Sequence, residues 1–89
     1  MKITYYKKFE GEGFKIGSFG ISIPQWGLKI NNLAVIRGKD NGWFTVMPTF
    51  KEDVEWVKTV EFEGNKQKVF NKAVRETLEE YMREKEISI

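Results

Sequence analysis

The side chains that most often carry chemistry are missing from this chain. Among its 89 residues there is no His and no Cys. That removes the commonest general base, the commonest transition-metal ligand, the thiolate nucleophile and any disulfide. Two carboxylate pairs remain, Glu52-Asp53 and Glu79-Glu80. Acid–base work needs such a pair in a shared pocket with its pKa values held apart. A polar loop and an exposed helix flank, where these pairs are expected, leave them as solvated surface. Gly11-Glu12-Gly13 followed by Gly17 resembles a phosphate loop, but Ile16 stands where the dinucleotide fingerprint needs its third glycine. A strand rather than a helix follows, so a hairpin turn is expected. The reading is a protein that is not an enzyme, with no cofactor, no metal and no small-molecule substrate.

What the chain does have is an unusual order of charge. Lys66, Lys68, Lys72 and Arg75 come together without an acid. Glu76, Glu79, Glu80, Glu84 and Glu86 follow, against Arg83 and Lys85. In a helix this order opposes the dipole, which favours the reverse by about 0.3–1 kcal/mol per charge near an end. The i,i+4 pairs Lys72/Glu76, Arg75/Glu79 and Glu79/Arg83 offset part of that. Two readings stand side by side. In one, the basic turn and the helix N-terminal amides bind phosphate. In the other, the charges are a solvated flank, or two helices pair antiparallel across a two-fold axis so that basic ends meet acidic ends. Arg37 and Lys39, with Lys29 and Lys51, add positive charge around a central hairpin. Tyr5, Tyr6, Trp26, Trp43 and Trp56 lie among lysines and could stack bases. Strand aromatics more often form core or cross-strand pairs, so core is expected for most, with Tyr6 and Trp26 exposed.

These residues need elements to position them. Leu33-Ala34-Val35-Ile36 and Trp43-Phe44-Thr45-Val46-Met47 flank Gly38-Lys39-Asp40-Asn41-Gly42. Asn-Gly between apolar runs is a strong hairpin signal, because both residues tolerate positive φ. Pro48 removes a ladder donor and ends the second run. Ile3 to Phe9 alternates, with Ile3, Tyr5 and Phe9 on one face. Phe14 to Ile23 is a second strand whose phase switches at Gly17, where a bulge is expected. Pro24 to Gly27 is a turn. The third strand starts at Leu28 and changes phase at Asn31-Asn32, a second bulge or bend. A polar loop, Thr49 to Asp53, leads to a fifth strand, Val54 to Phe62. Val69, Phe70, Ala73, Val74, Thr77, Leu78, Tyr81 and Met82 then form one helical stripe from Lys66 to about Lys85, with Asn65 as N-cap. At about 30 Å the helix is long enough to cross the sheet. The expected fold is α+β, an antiparallel sheet of about five strands followed by one long C-terminal helix packed on one face.

The whole chain, 1–89, is expected to be a single domain. Its net charge of +2 is too small to announce a nucleic-acid partner, but residues 1–51 carry eight Lys or Arg against three acids and residues 52–89 carry seven against ten. No apolar run approaches the about 20 residues of a membrane span. MKITYYKKF lacks the apolar region of a secretory signal. The expectation is a cytoplasmic protein with no membrane partner.

The stretch Leu33 to Thr49, LAVIRGKDNGWFTVMPT, resembles the stage V sporulation protein G (SpoVG) family of small bacterial regulators. The likeness lies in Val35-Ile36, Gly38, the Asn41-Gly42 turn, Phe44 and Met47-Pro48-Thr49, against a family pattern of V-I, Gly, Asn-Gly, an aromatic and M-P-S. Gly20-Ile21-Ser22-Ile23 is similar to the preceding family strand. Val69 to Tyr81 is placed like the family's C-terminal helix. About two thirds of the chain is covered. The chain departs from the family after Pro48, where Phe50-Lys51-Glu52-Asp53 and Val57 to Phe62 replace a basic segment and an R-D-I-x-H-P-I strand, and its turn is one residue longer. This marks a divergent or phage-borne relative. Membership implies an α+β homodimer joined partly through its sheet. It also implies binding to DNA or RNA in gene regulation, as in sporulation and septation, without catalysis or cofactor. Lys66, Lys68, Lys72 and Arg75 would then contact phosphates, with Arg37 and Lys39 as a second basic point. The alternative is a protein-interaction or structural dimer that never touches nucleic acid.

Overall fold

Each strand follows the alternation of its sequence, and each departure from it is a bulge. The computed structural model describes residues 1–11 and 13–88, Asn41 by its backbone alone. Strands β1 (Lys2–Lys8), β2 (Lys15–Ile23), β3 (Leu28–Arg37) and β4 (Trp43–Val46) form one antiparallel sheet in that order. Strands β5 (Thr49–Glu52) and β6 (Glu55–Lys58) form a second, two-stranded sheet, and helix α1 (Asn65–Glu84) follows. The α+β class is therefore as expected. Gly11-Glu12-Gly13 falls in the hairpin connection between β1 and β2, although Glu12 itself lies outside the described residues.

The expected bulges form. Pairing moves from Lys15↔Ile36 to Gly17↔Val35, which leaves Ile16 as the extra residue. Between Phe19↔Leu33 and Ile21↔Ile30, Asn31 and Asn32 together oppose Gly20. Asn32 takes φ 65°, a conformation Asn tolerates better than most residues. The Tyr5 hydroxyl accepts the Asn32 N–H at 2.8 Å. Its ring reaches there across Gly20, where an added Cβ would come within 2.5 Å of Tyr5 Cε1.

A third bulge corrects the reading of the first strand. Ile3 pairs with Ile21 but Tyr5 pairs with Gly20, so Thr4 is extra and the phase flips. Ile3 and Tyr6 therefore pack on the core, while Tyr5 and Phe9 are exposed. Tyr6, expected at the surface, is half-buried. Its hydroxyl is shut from solvent without a hydrogen-bond partner, and burial raises its pKa above 10.0.

The expected central hairpin forms, with register Arg37↔Trp43 to Ala34↔Val46. Its turn differs from the one Asn-Gly suggests. Positive φ falls on Asp40 (58°), Gly42 is extended (φ −76°), and Gly38 N–H donates to the Gly42 carbonyl at 2.8 Å. The five-residue connection adopts a short 3-10 turn, whereas paired positive φ at Asn-Gly belongs to two-residue loops.

The expected fifth strand is the main correction. Thr49–Asp53 is not a loop: Thr49–Glu52 is β5, and it pairs with Glu55–Lys58. Neither strand joins the large sheet. The Thr59 N–H donates to the Pro48 carbonyl at 2.7 Å and closes the base of this hairpin. Trp56, counted with the core from the sequence, is exposed, and so is Val54. The chain then turns back so that Phe62 packs on Phe70, ring centroids 4.7 Å apart.

Helix α1 packs against β4 and β1. Its buried row is Phe70, Val74, Leu78 and Met82, spaced i,i+4. Ala73, Thr77 and Tyr81 are half-buried beside it, while Val69, expected in the stripe, is exposed. These side chains meet Phe19, Ile21, Leu33 and Val35 of the sheet in one core. The N-cap is Gly64 (φ 60°) rather than Asn65, and no side chain caps it. Gln67 ties the entry instead: Oε1 accepts the Phe62 N–H and Nε2 donates to Asn71 Oδ1, both at 2.8 Å. At the other end Ile87 N–H donates to the Met82 carbonyl at 2.8 Å and Glu86 N–H to that of Arg83 at 3.3 Å, with Glu86 at φ 57°. This is a Schellman stop with Glu where Gly is usual. No helix among the described residues is long and apolar enough to cross a membrane.

Candidate functional site

The helical period sorts the expected cations onto two flanks. At 3.6 residues per turn, Lys68, Lys72 and Arg75 lie within about 60° of one another, and Lys66 lies on the other side of the buried row. The first flank faces β4. Phe44, Thr45, Asn71, Lys72 and Arg75 line a depression there of about 350 Å³.

Trp43 anchors Arg75, one of the residues lining it. The Arg75 guanidinium sits 4.2 Å from the Trp43 ring centroid. Its Nη1 donates to the Trp43 carbonyl at 2.6 Å, and its Nε donates to Glu79 Oε1 at 2.9 Å. Of the expected i,i+4 pairs only Arg75–Glu79 is formed among the described residues. Arg37 is the cross-strand partner of Trp43, which places both on the same face of the sheet, and Lys39 follows in the turn. The fold thus links the two basic segments through Trp43, which pairs with Arg37 across the strands and carries the Arg75 guanidinium on its ring.

The edge of β4 adds polar groups. Because Gly38 and Gly42 form a hydrogen-bonded pair, Trp43 and Thr45 alternate outward and aim N–H and C=O away from β3. Arg75 takes the Trp43 carbonyl, and Thr45 lines the depression. Lys68 and Lys72 are exposed and form no ion pair among the described residues. Such an edge offers exposed cations for phosphates, an exposed Phe44 for stacking, and backbone and amide groups for hydrogen bonds.

Lys66 belongs to a different surface. With Trp26, Phe62, Val69, Phe70 and Ala73 it lines an almost wholly apolar depression of about 320 Å³. Trp26 is exposed, as expected from the sequence. Of the carboxylate pairs, Glu52 and Asp53 sit at the exposed tip of the β5–β6 hairpin, while Glu79 lies on the cationic flank, ion-paired to Arg75, with exposed Glu80 beside it on α1. Among the described residues no three His, Cys, Asp or Glu are placed to hold a metal ion.

Sequence reasoning weighed Trp43 as a stacking aromatic but not as the seat of Arg75, and it missed Thr45 and Asn71 as members of the site. Two signals were available. The hairpin register sets Trp43 opposite Arg37, and the i,i+4 spacing of Gln67, Asn71 and Arg75 marks one helix flank. Compared with protein-family models, curated proteins and solved structures, the chain matches none.

Proposed function

We propose that this chain is a divergent SpoVG-like, dimeric nucleic-acid-binding regulator of the bacterial or phage cytoplasm, acting in gene control of the sporulation and septation kind. The observation that carries the reading is that Arg75 stacks on Trp43, the cross-strand partner of Arg37, with Lys39 in the adjoining turn and Lys72 beside Arg75 in the depression at β4. Cations from two separate parts of the sequence are thus joined through one residue of the edge strand, which a merely solvated flank does not require. Arg75 is partly spent on the fold, since it binds Trp43 and Glu79. Lys68 and Lys72 are the helix cations on this flank left to meet phosphate, beside Arg37 and Lys39 of the hairpin.

A polarisation titration with random-sequence DNA and RNA tests this. The expected result is low-salt binding that weakens steeply with salt and is lost in K68E/K72E. Absence of binding to either nucleic acid at low salt would sink the reading. The second reading, a protein-interaction dimer, draws on one observation, the exposed apolar residues of the β5–β6 hairpin.

A further inference from the structure

We propose that the β5–β6 hairpin of one protomer docks into the apolar depression beside Lys66 of a second copy. This deepens the dimeric part of the proposed function and rests on that part alone.

The hairpin is unfinished as an isolated element. It pairs only with itself, and two-stranded hairpins without further packing are marginal in water. Its apolar residues face solvent: Val54 is 88% exposed, Trp56 68% and Phe50 46%. Its tip also opposes itself. Glu52 and Glu55 are direct cross-strand partners, a like-charge pairing, and Asp53 between them takes φ 54°. An ordered hairpin of this composition needs an apolar seat with cations at its rim.

The same chain carries that seat. Trp26 (65% exposed) and Val69 (70% exposed) stand beside Phe62, Phe70 and Ala73 around the depression. Lys66 lies at its rim, in a first helical turn that holds no acid. An acidic, apolar tip therefore meets a basic, apolar groove. The signs favour a second copy over nucleic acid as the hairpin's partner, because Glu52, Asp53 and Glu55 repel phosphate. Reciprocal exchange gives a two-fold dimer in which each protomer lends one hairpin and receives one. It also leaves the opposite helix flank, with Lys68 and Lys72, open.

Sedimentation equilibrium of the full chain, without nucleic acid, tests the docking. Val54→Asp and Val69→Asp alter exposed side chains, so helical circular dichroism should stay native. Each should raise the dimer dissociation constant by about tenfold or more, as for a central apolar contact. Glu55→Lys and Lys66→Glu should each weaken the dimer, and the two in one chain should restore it. A wild-type monomer overturns the docking, and so does a dimer indifferent to Val54→Asp and Val69→Asp. A monomer that cross-links position 54 to position 69 within one chain also overturns it. Nucleic-acid titration of the same samples separates the two proposals: lost binding with an intact, hairpin-dependent dimer defeats only the regulator reading.

Discussion

Two residues sit in places that their chemistry makes expensive. Glu86 holds the left-handed position of the helix stop at φ 57°, where a Cβ is disfavoured, and places an acid at the negative end of the helix. Glu86→Gly should therefore raise stability by about 0.5–1 kcal/mol, read as a higher urea midpoint with unchanged slope. Tyr6 has a hydroxyl buried without a partner. Tyr6→Phe keeps the ring and removes the unpaired group, so it should be neutral or stabilising by up to about 1 kcal/mol. Its pH dependence tests the cause. Burial raises the Tyr6 pKa above the ordinary 10.0, so the unfolded state ionises first. The contribution of the neutral phenol is intact below that value and is lost as pH rises through the raised folded one. Wild-type stability should fall in this alkaline window, and Tyr6→Phe should flatten that fall. An equal fall in both proteins would show that Tyr6 does not set it.

At the scale of elements, the helix and the central hairpin were legible because burial and pattern agree there. The row Phe70, Val74, Leu78, Met82 is what a helix crossing a sheet buries. Gly17 and Asn31-Asn32 announced their bulges because an apolar phase switched at each. The bulge at Thr4 left no such mark, since Tyr5 and Tyr6 can each serve a strand on either face. The β5–β6 hairpin was misread for a related reason. Val54, Trp56, Val60 and Phe62 alternate like a half-buried strand, yet Val54 and Trp56 find no cover in their own chain. A periodic pattern records that apolar side chains need burial, not which surface supplies it. The meeting of two basic segments at Trp43 is a tertiary fact that spacing along either segment does not contain. It has an element-level consequence. Arg75 pins α1 to β4 through the ring and carbonyl of Trp43. Arg75→Ala should cost about 1–2 kcal/mol in urea denaturation from the lost cation–π contact and charged hydrogen bond. Arg75→Lys should recover only part, because lysine lacks the planar fork that serves ring and carbonyl together.

For the whole molecule, the two proposals give the two flanks of one helix different work. Lys72 lines the depression at the β4 edge, with Lys68 one turn away on the same flank, whereas Lys66 borders the groove with Trp26 and Val69. Charge reversal on the two flanks should therefore fail in different assays. Counterion release makes the logarithm of the DNA-binding constant fall with that of salt, at about −0.9 per phosphate neutralised. K68E/K72E should flatten that slope by about 2 for each engaged flank and weaken binding at about 50 mM salt on the order of a hundredfold. Its dimer dissociation constant should not move. Lys66→Glu should do the opposite: the dimer loosens, while the salt slope of each protomer that binds stays that of the wild type. A Lys66→Glu protein that keeps its dimer and loses salt slope would place the phosphate contacts on the helix start as a whole. The division of the helix into a docking flank and a phosphate flank would then be wrong. If the effects separate, the inverted charge order of α1 is explained. Its cations gather at the N-terminal half because two surfaces meet there, at a cost to the helix dipole that each surface offsets on its own side.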